Sequence, residues 1–265
     1  MGVIKNLTKQ KCKDGKVTLG SGVRMANTVE VGLAMKASGY DWLFIDLEHG
    51  PFTLETAQQI SIAALTQEIT PLVRVADLDP HLSTRILDSG AQGIILPHVN
   101  NAKEAEKLVS ICKFPMEGNR SSGGGLAHAK FEHMNPKELL QEVNNETLLV
   151  AMIETPEAGD KADEIASVDG IDVLLIGTND LSTGMGITGQ HDHPKVNKVY
   201  EQVVNACTKH GKTPGMGGSY QPDLIEKRIS EGMRFILSGS DLNFMIAGAS
   251  AQANMIREVA KKSGL

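Results

Sequence analysis

The sequence predicts an α/β protein built as a closed (β/α)8 barrel, and three observations carry that expectation. Short apolar runs of β character alternate with longer helical stretches, as parallel strands joined by crossover helices require. Eight such runs can be counted, and the 265-residue length is ordinary for this fold. No Pro/Gly/Ser-rich linker divides the chain, so residues 1–265 read as one domain. The alternative, a doubly wound open sheet, usually carries a glycine-rich dinucleotide turn after its first strand. Here Gly20-Ser21-Gly22 lacks the third matching glycine.

Val17-Thr18-Leu19-Gly20 reads as the first strand, followed by an amphipathic helix over residues 28–38. Trp42-Leu43-Phe44-Ile45-Asp46 is the second, an unbroken apolar run suited to a strand covered on both faces. Leu72-Val73-Arg74-Val75 is the third, and Gly93-Ile94-Ile95-Leu96, closed by Pro97, the fourth. Leu148-Leu149-Val150-Ala151-Met152-Ile153 and Val173-Leu174-Leu175-Ile176 are the fifth and sixth. Thr213-Pro214-Gly215 and Phe235-Ile236-Leu237-Ser238 are weaker candidates for the last two; the proline counts against its run because it cannot donate to a ladder. Residues 113–136, rich in Gly, Ser and His, form the longest irregular stretch and are a candidate flap or subunit contact. A long helix over residues 241–262 carries the apolar stripe Phe244, Ile246, Ala247, Ala251, Met255 and Val259. It can pack on the barrel or on a neighbouring subunit.

Composition narrows the function classes. A hydrophobic fraction of 41% and a charged fraction of 22% suit a soluble globular chain, and 4% aromatics leave an aliphatic core. A formal charge of −6 argues against nucleic acid or an anionic membrane as the main partner. Cys12, Cys112 and Cys207 show no paired spacing, and the Lys-rich start has no apolar leader region. The expected location is the cytoplasm.

In this fold chemistry gathers at the carboxyl ends of the strands. The second strand runs into Asp46-Leu47-Glu48-His49-Gly50, the third carries Arg74, the fifth ends at Glu154, and the sixth leads into Gly177-Thr178-Asn179-Asp180. Each acid alone could merely cap the following helix, Asp180 above all. Several acids on one rim, however, repel unless a cation lies between them. Glu154 and Asp180 are the natural pair of hard oxygen ligands for Mg²⁺ or Mn²⁺, with waters and substrate oxygens completing the shell. A 2-oxo acid would chelate such an ion through its carboxylate and keto oxygens, which favours an enolate on cleavage of the adjacent C–C bond. Arg74 is the second stabiliser of that oxyanion. His49 is the acid–base candidate, with Asp46 three residues earlier to orient its imidazole. No lysine ends strands two to six, and Lys130 and Lys212 are less well placed, which favours a metal route over an imine. His98, the His191/His193 pair, and the glycine turns at 215–219 and 238–241, where barrels often hold phosphate, are weaker signals.

These residues resemble the HpcH/HpaI family of metal-dependent class II pyruvate aldolases over nearly the whole chain. The likeness is strongest in Asp41-Trp42-Leu43-Phe44-Ile45-Asp46-Leu47-Glu48-His49-Gly50 and Arg74, and in Ile86-Leu87-Asp88-Ser89-Gly90-Ala91-Gln92-Gly93. It continues through Met152-Ile153-Glu154-Thr155 and Gly170-Ile171-Asp172 to Asn179-Asp180-Leu181-Ser182. The resemblance implies a barrel with a swapped C-terminal helix, assembled as a homo-oligomer, usually a hexamer. It implies a lyase that reversibly cleaves a 4-hydroxy-2-oxo acid to pyruvate and an aldehyde. By motif, Glu154 and Asp180 match the metal ligands (Mg²⁺ or Mn²⁺, with Co²⁺ or Zn²⁺ as alternatives), Arg74 the substrate arginine, and His49 with Asp46 the base dyad. Asp88 matches an aspartate acting across a subunit contact, and Thr178, Asn179 and Asp180 lie where the substrate carboxylate meets backbone amides. Three departures concern substrate choice: Met152 stands where relatives carry Gln, Thr178-Asn179 where they carry Pro-Ala, and Arg120-Ser121-Ser122-Gly123-Gly124 where they carry Arg-Gly-x-Gly. Oxaloacetate decarboxylation or a C–C bond-forming synthase using the same enolate is the alternative, and a phosphosugar isomerase the second.

Overall fold

A computed structural model describes residues 2–265. Eight strands run parallel: β1 (Thr18–Val23), β2 (Trp42–Asp46), β3 (Thr70–Arg74), β4 (Gly93–Leu96), β5 (Leu148–Ile153), β6 (Val173–Gly177), β7 (Thr213–Gly217) and β8 (Phe235–Ser240). They close into a barrel in chain order, with β8 returning to β1. Around them lie α1 (Leu7–Lys13), α2 (Val31–Ala37), α3 (Leu54–Thr66), α4 (Pro80–Asp88), α5 (Ala102–Cys112), α6 (Pro136–Glu146), α7 (Pro156–Asp160), α8 (Ala162–Ala166), α9 (Thr178–Gly184), α10 (Pro194–His210), α11 (Pro222–Glu231) and α12 (Asp241–Lys262).

Local chemistry sets many of the helix starts. Proline occupies the first turn of α4, α6, α7, α10 and α11, where its missing N–H costs nothing and its fixed φ suits the helix. Asp79, Asn101, Asn135 and Thr155 then cap their helices through the side chain.

Every residue of β2, β3, β4 and β5 is buried, which explains their unbroken apolar runs. Alternate residues serve two layers. Trp42, Phe44, Leu72, Val150, Met152 and Leu175 fill the barrel interior, while Leu43, Ile45, Val73, Ile94 and Leu174 pack under the helices. Trp42 stacks on Phe235 with ring centroids 3.9 Å apart. The Trp42 ring occupies the space beside Gly20, where a Cβ would lie 2.2 Å from it. Pairing with β2 corrects the predicted first strand. Expected to end at Gly20, β1 continues through Ser21 and Gly22 to Val23, paired with Leu43–Ile45 of β2.

Smaller corrections follow the same logic. The helix expected over residues 28–38 starts at Val31, and β3 starts at Thr70 and ends at Arg74. The proline-bearing seventh strand exists. Its first partner pair on β8 is Gly215 with Phe235, so Pro214 precedes that ladder and its missing N–H breaks no bond. Residues 113–136 do not reach the carboxyl end of the barrel. Phe114, Leu126 and Ala129 pack with Val3, Leu139 and Val143 in a separate cluster, and no residue of the segment lines the cavity described below. Finally, α12 has the predicted bounds but leaves Met245, Ile246, Met255, Ile256 and Val259 about half exposed.

Candidate active site

The carboxyl ends of the strands open onto a cavity of about 260 Å³. Asp46, His49, Arg74, Met152, Glu154, Thr178, Asn179 and Asp180 all line it. Asp88 does not. It ends α4 and pairs with the buried Arg120 at 2.6 Å. No lysine lines the cavity among the described residues.

Arg74, 7% exposed, lies over the Phe44 ring at 4.9 Å. Its Nε and Nη2 donate to the two oxygens of Asp46 at 3.0 and 2.6 Å, and its Nη1 lies 2.8 Å from Glu48 Oε2. The fork is therefore locked from behind, and both terminal nitrogens keep an N–H for a ligand. Burial pushes the Asp46 carboxyl up, but the bonds and charge of Arg74 and two backbone N–H groups outweigh it. The group is held below the usual carboxylate range.

This geometry corrects the expected dyad. Asp46 Oδ1 accepts the backbone N–H of Glu48 and of His49, each at 3.1 Å, and both its oxygens serve Arg74. The nearest acid to the imidazole of His49 is Glu48, at 3.9 Å. Asp46 thus places the chain of His49 and the head of Arg74, not the tautomer of the ring.

Glu154 is 2% exposed and lies across the end of β6. A Cβ on Gly177 would fall 2.6 Å from its Oε1, so only glycine admits that pose. Its Oε2 takes the backbone N–H of His98 at 2.8 Å and faces His98 Nδ1 at 3.2 Å. His98 adopts a left-handed backbone, φ 51°, a conformation that costs a non-glycine residue and so marks a held position. Burial and the nearby Asp180 charge raise the Glu154 carboxyl above its usual range, against the opposing His98 N–H and imidazole and the more distant Arg74. The Asp180 side chain, in the first turn of α9, makes no hydrogen bond or ion pair among the described residues.

A divalent ion fits this donor set. His98 uses Oε2 of Glu154 and leaves Oε1, and the neighbouring Asp180 carboxylate is uncommitted, so two hard oxygens repel until a cation joins them. No group of three or more His, Cys, Asp or Glu converges among the described residues, so non-protein oxygens would complete the shell.

Thr178 lies where expected, but its side chain is spent. The hydroxyl donates to Gly217 O and meets Tyr200 Oη, both at 2.7 Å, tying α9 to β7 and α10. The start of α9 has no side-chain cap, so its first amides are unpaired within the helix. Gly218, φ 86°, approaches Asn179, where a Cβ would stand 3.0 Å from Nδ2. Of the weaker histidine pair, His193 caps α10 through Nδ1.

Sequence reasoning missed Glu48, Arg24, Tyr220 and Asn243. Glu48 lay inside the quoted Asp46–Gly50 string and had no role assigned. Arg24 follows the end of β1, which runs three residues past the expected end at Gly20; Tyr220 lies in the loop after β7 and Asn243 in the first turn of α12, beyond the two strands with the faintest pattern.

The family model for HpcH/HpaI aldolase/citrate lyase matches residues 27–247, and the chain belongs to that family. It is an enzyme of the carbon–carbon lyase class. It is 35% identical to a 4-hydroxy-4-methyl-2-oxoglutarate aldolase of Hapsidospora irregularis, over 98% of this chain and 97% of that one. It is 34% identical to a 4-hydroxy-2-oxo-heptane-1,7-dioate aldolase of Salmonella paratyphi C, over 94% of each. The crystal structure of an HpcH/HpaI aldolase from Desulfitobacterium hafniense superposes with a TM-score of 0.89 at 28% identity, covering 94% of this chain and 96% of that one.

Proposed function

We propose that this enzyme reversibly cleaves a 4-hydroxy-2-oxo acid to pyruvate and an aldehyde with the help of a divalent ion. The observation that carries the reading is the cavity itself, where buried Glu154 and neighbouring Asp180 face the locked fork of Arg74. Glu154 and Asp180 would hold Mg²⁺ or Mn²⁺, which supplies Lewis-acid polarisation of the keto oxygen.

The remaining work falls to the chain. The unpaired amides at the start of α9, around Asn179 and Asp180, hold the substrate carboxylate. Met152, 5% exposed, forms an apolar floor beneath it. Arg74 donates its remaining N–H groups to the keto oxygen as negative charge grows there, and Asp46 and Glu48 keep it aimed without reorganisation. His49 takes the proton of the 4-hydroxyl as the C–C bond breaks, a proton delivered to C3 of the departing half completes pyruvate, and the synthetic direction reverses both transfers.

The assembly belongs to the proposal too. A second copy covers the exposed apolar face of α12 in a homo-oligomer, a hexamer by family pattern, and Asp88 acts at a subunit contact. Among the described residues no helix is long and apolar enough to cross a membrane. The three cysteines are buried free thiols, and we place the enzyme in the cytoplasm.

The test is pyruvate release from a panel of 4-hydroxy-2-oxo acids, before and after chelation and with Mg²⁺ or Mn²⁺ restored. Activity that survives complete chelation refutes the metal, and pyruvate appearing only from oxaloacetate refutes aldol cleavage in favour of decarboxylation.

A further inference from the structure

The loop after β4 stays bonded to the end of β5 beyond the last paired residues of the two strands. Val99 N–H donates to Met152 O at 3.1 Å, and His98 N–H to Glu154 Oε2 at 2.8 Å. Thr155 Oγ1 donates to Asn100 Oδ1 at 2.6 Å. The loop is braced from behind as well. Glu104, in the first turn of α5, accepts the N–H of Asn100 at 2.7 Å, and Asn100 Nδ2 donates to His98 O at 2.8 Å. Together these bonds hold His98 at φ 51°, a conformation that glycine alone adopts freely. They aim its N–H at one oxygen of a buried acid.

The consequence falls on Glu154. Its Oε2 receives the His98 N–H, and Oε1 remains. The bond is charge-assisted, so turning the carboxylate to offer both oxygens to one ligand forfeits it. The imidazole is not the holding group. Its side chain is 55% exposed, and Nδ1, though 3.2 Å from the same oxygen, makes no hydrogen bond among the described residues.

We propose that His98 is a positioning residue for Glu154. Its left-handed backbone confines the acid to one available oxygen, and the site thereby discriminates against Ca²⁺ in favour of Mg²⁺ and Mn²⁺. This rests on the divalent ion of the reading above. Ca²⁺ gathers more oxygens in a looser shell and commonly uses both oxygens of a carboxylate. The smaller ions take an octahedral shell, whose right angles do not match the narrow bite of a two-oxygen carboxylate.

The test pairs two substitutions that both delete the ring. Glycine at this position keeps the N–H and accepts the left-handed backbone, whereas β-branched valine resists it. Calorimetric titration with Mn²⁺ and with Ca²⁺ gives the affinity ratio of each protein, with far-UV circular dichroism as the check of fold. His98→Gly should keep the wild-type ratio within about twofold. His98→Val should lower it by roughly tenfold, the low end for releasing a hydrogen bond to a charged group. Equal ratios in the two variants, both kept or both lowered, overturn the positioning while the divalent ion stands. Should His98→Val fail to fold, Asn100→Ala decides, because it cuts the brace to His98 O and leaves residue 98 unchanged. A lowered ratio there supports the positioning, and an unchanged one overturns it. A wild-type protein that binds Ca²⁺ as tightly as Mn²⁺ overturns it outright, and one that binds neither ion overturns the divalent ion with it.

Discussion

Replacing Asp46 by Asn tests how the site is held together. The asparagine oxygen can still accept from Arg74 Nε and from the two backbone N–H groups now 3.1 Å from Oδ1. At the other position an amide NH₂ replaces the acceptor that now lies 2.6 Å from Nη2, so two donors face each other inside the barrel. One charge-assisted bond is lost and a guanidinium 7% exposed keeps only Glu48 as counter-ion. The expected cost is about 3 kcal/mol, at the lower end for breaking a buried pair because Glu48 remains. For a chain of this size that is a melting temperature lower by about 6–12 °C. The sign with pH also follows. The Asp46 carboxyl is held low, so its contribution is complete above about pH 4 and lost as pH falls through the native value. The stability gap between wild type and Asp46→Asn, measured by thermal melts, should therefore narrow on acidification. Kinetically, a loosened Arg74 should lower kcat by about a hundredfold. A variant that melts with wild type and keeps wild-type kcat would refute the positioning of Arg74.

Three further outcomes are expected. Glu154→Gln and Asp180→Asn should each abolish Mn²⁺ binding by calorimetry while far-UV circular dichroism stays native, and global unfolding of either would show the carboxylate to be structural. His128 is buried against Ala91 O, and burial pushes its imidazole down to about 4. The unfolded chain therefore takes up that proton first, and stability should drop by roughly 3 kcal/mol between pH 6.5 and 4. Denaturant midpoints of His128→Gln across that range should show a shallower loss, and parallel curves would contradict the burial argument. Charging the face of α12 with Ile256→Asp should lower the light-scattering mass of the proposed oligomer, and an unchanged mass would mean that this face is not an interface.

Much of the barrel was legible because its strands are buried on both faces. β2 and β5 read as continuous apolar runs, and a closed barrel in chain order brings each strand's last residues to one rim. That is why Glu154, Asp180, Arg74 and His49 can be gathered from the sequence. The elements that misled were those in which a neighbour overrides the local signal. The first strand reads as ending at Gly20 because what carries it on to Val23, its pairing with Trp42–Ile45, lies on the adjacent strand. Pro214 looks like a breaker because the late start of β8 beside it is not a local property.

What the sequence determined by itself was periodicity, strand order and the identity of the residues at each strand end, all of which depend on neighbours a few positions away. Tertiary structure decided which of those residues meet. It assigned Asp46 to Arg74 instead of His49, set His98 against Glu154, and buried Arg120 beside Asp88. The reason is physical. A side chain's partner depends on the angle at which separate strands deliver it and on the dihedrals of the loops between them, and hydrogen bonding discriminates over tenths of an ångström.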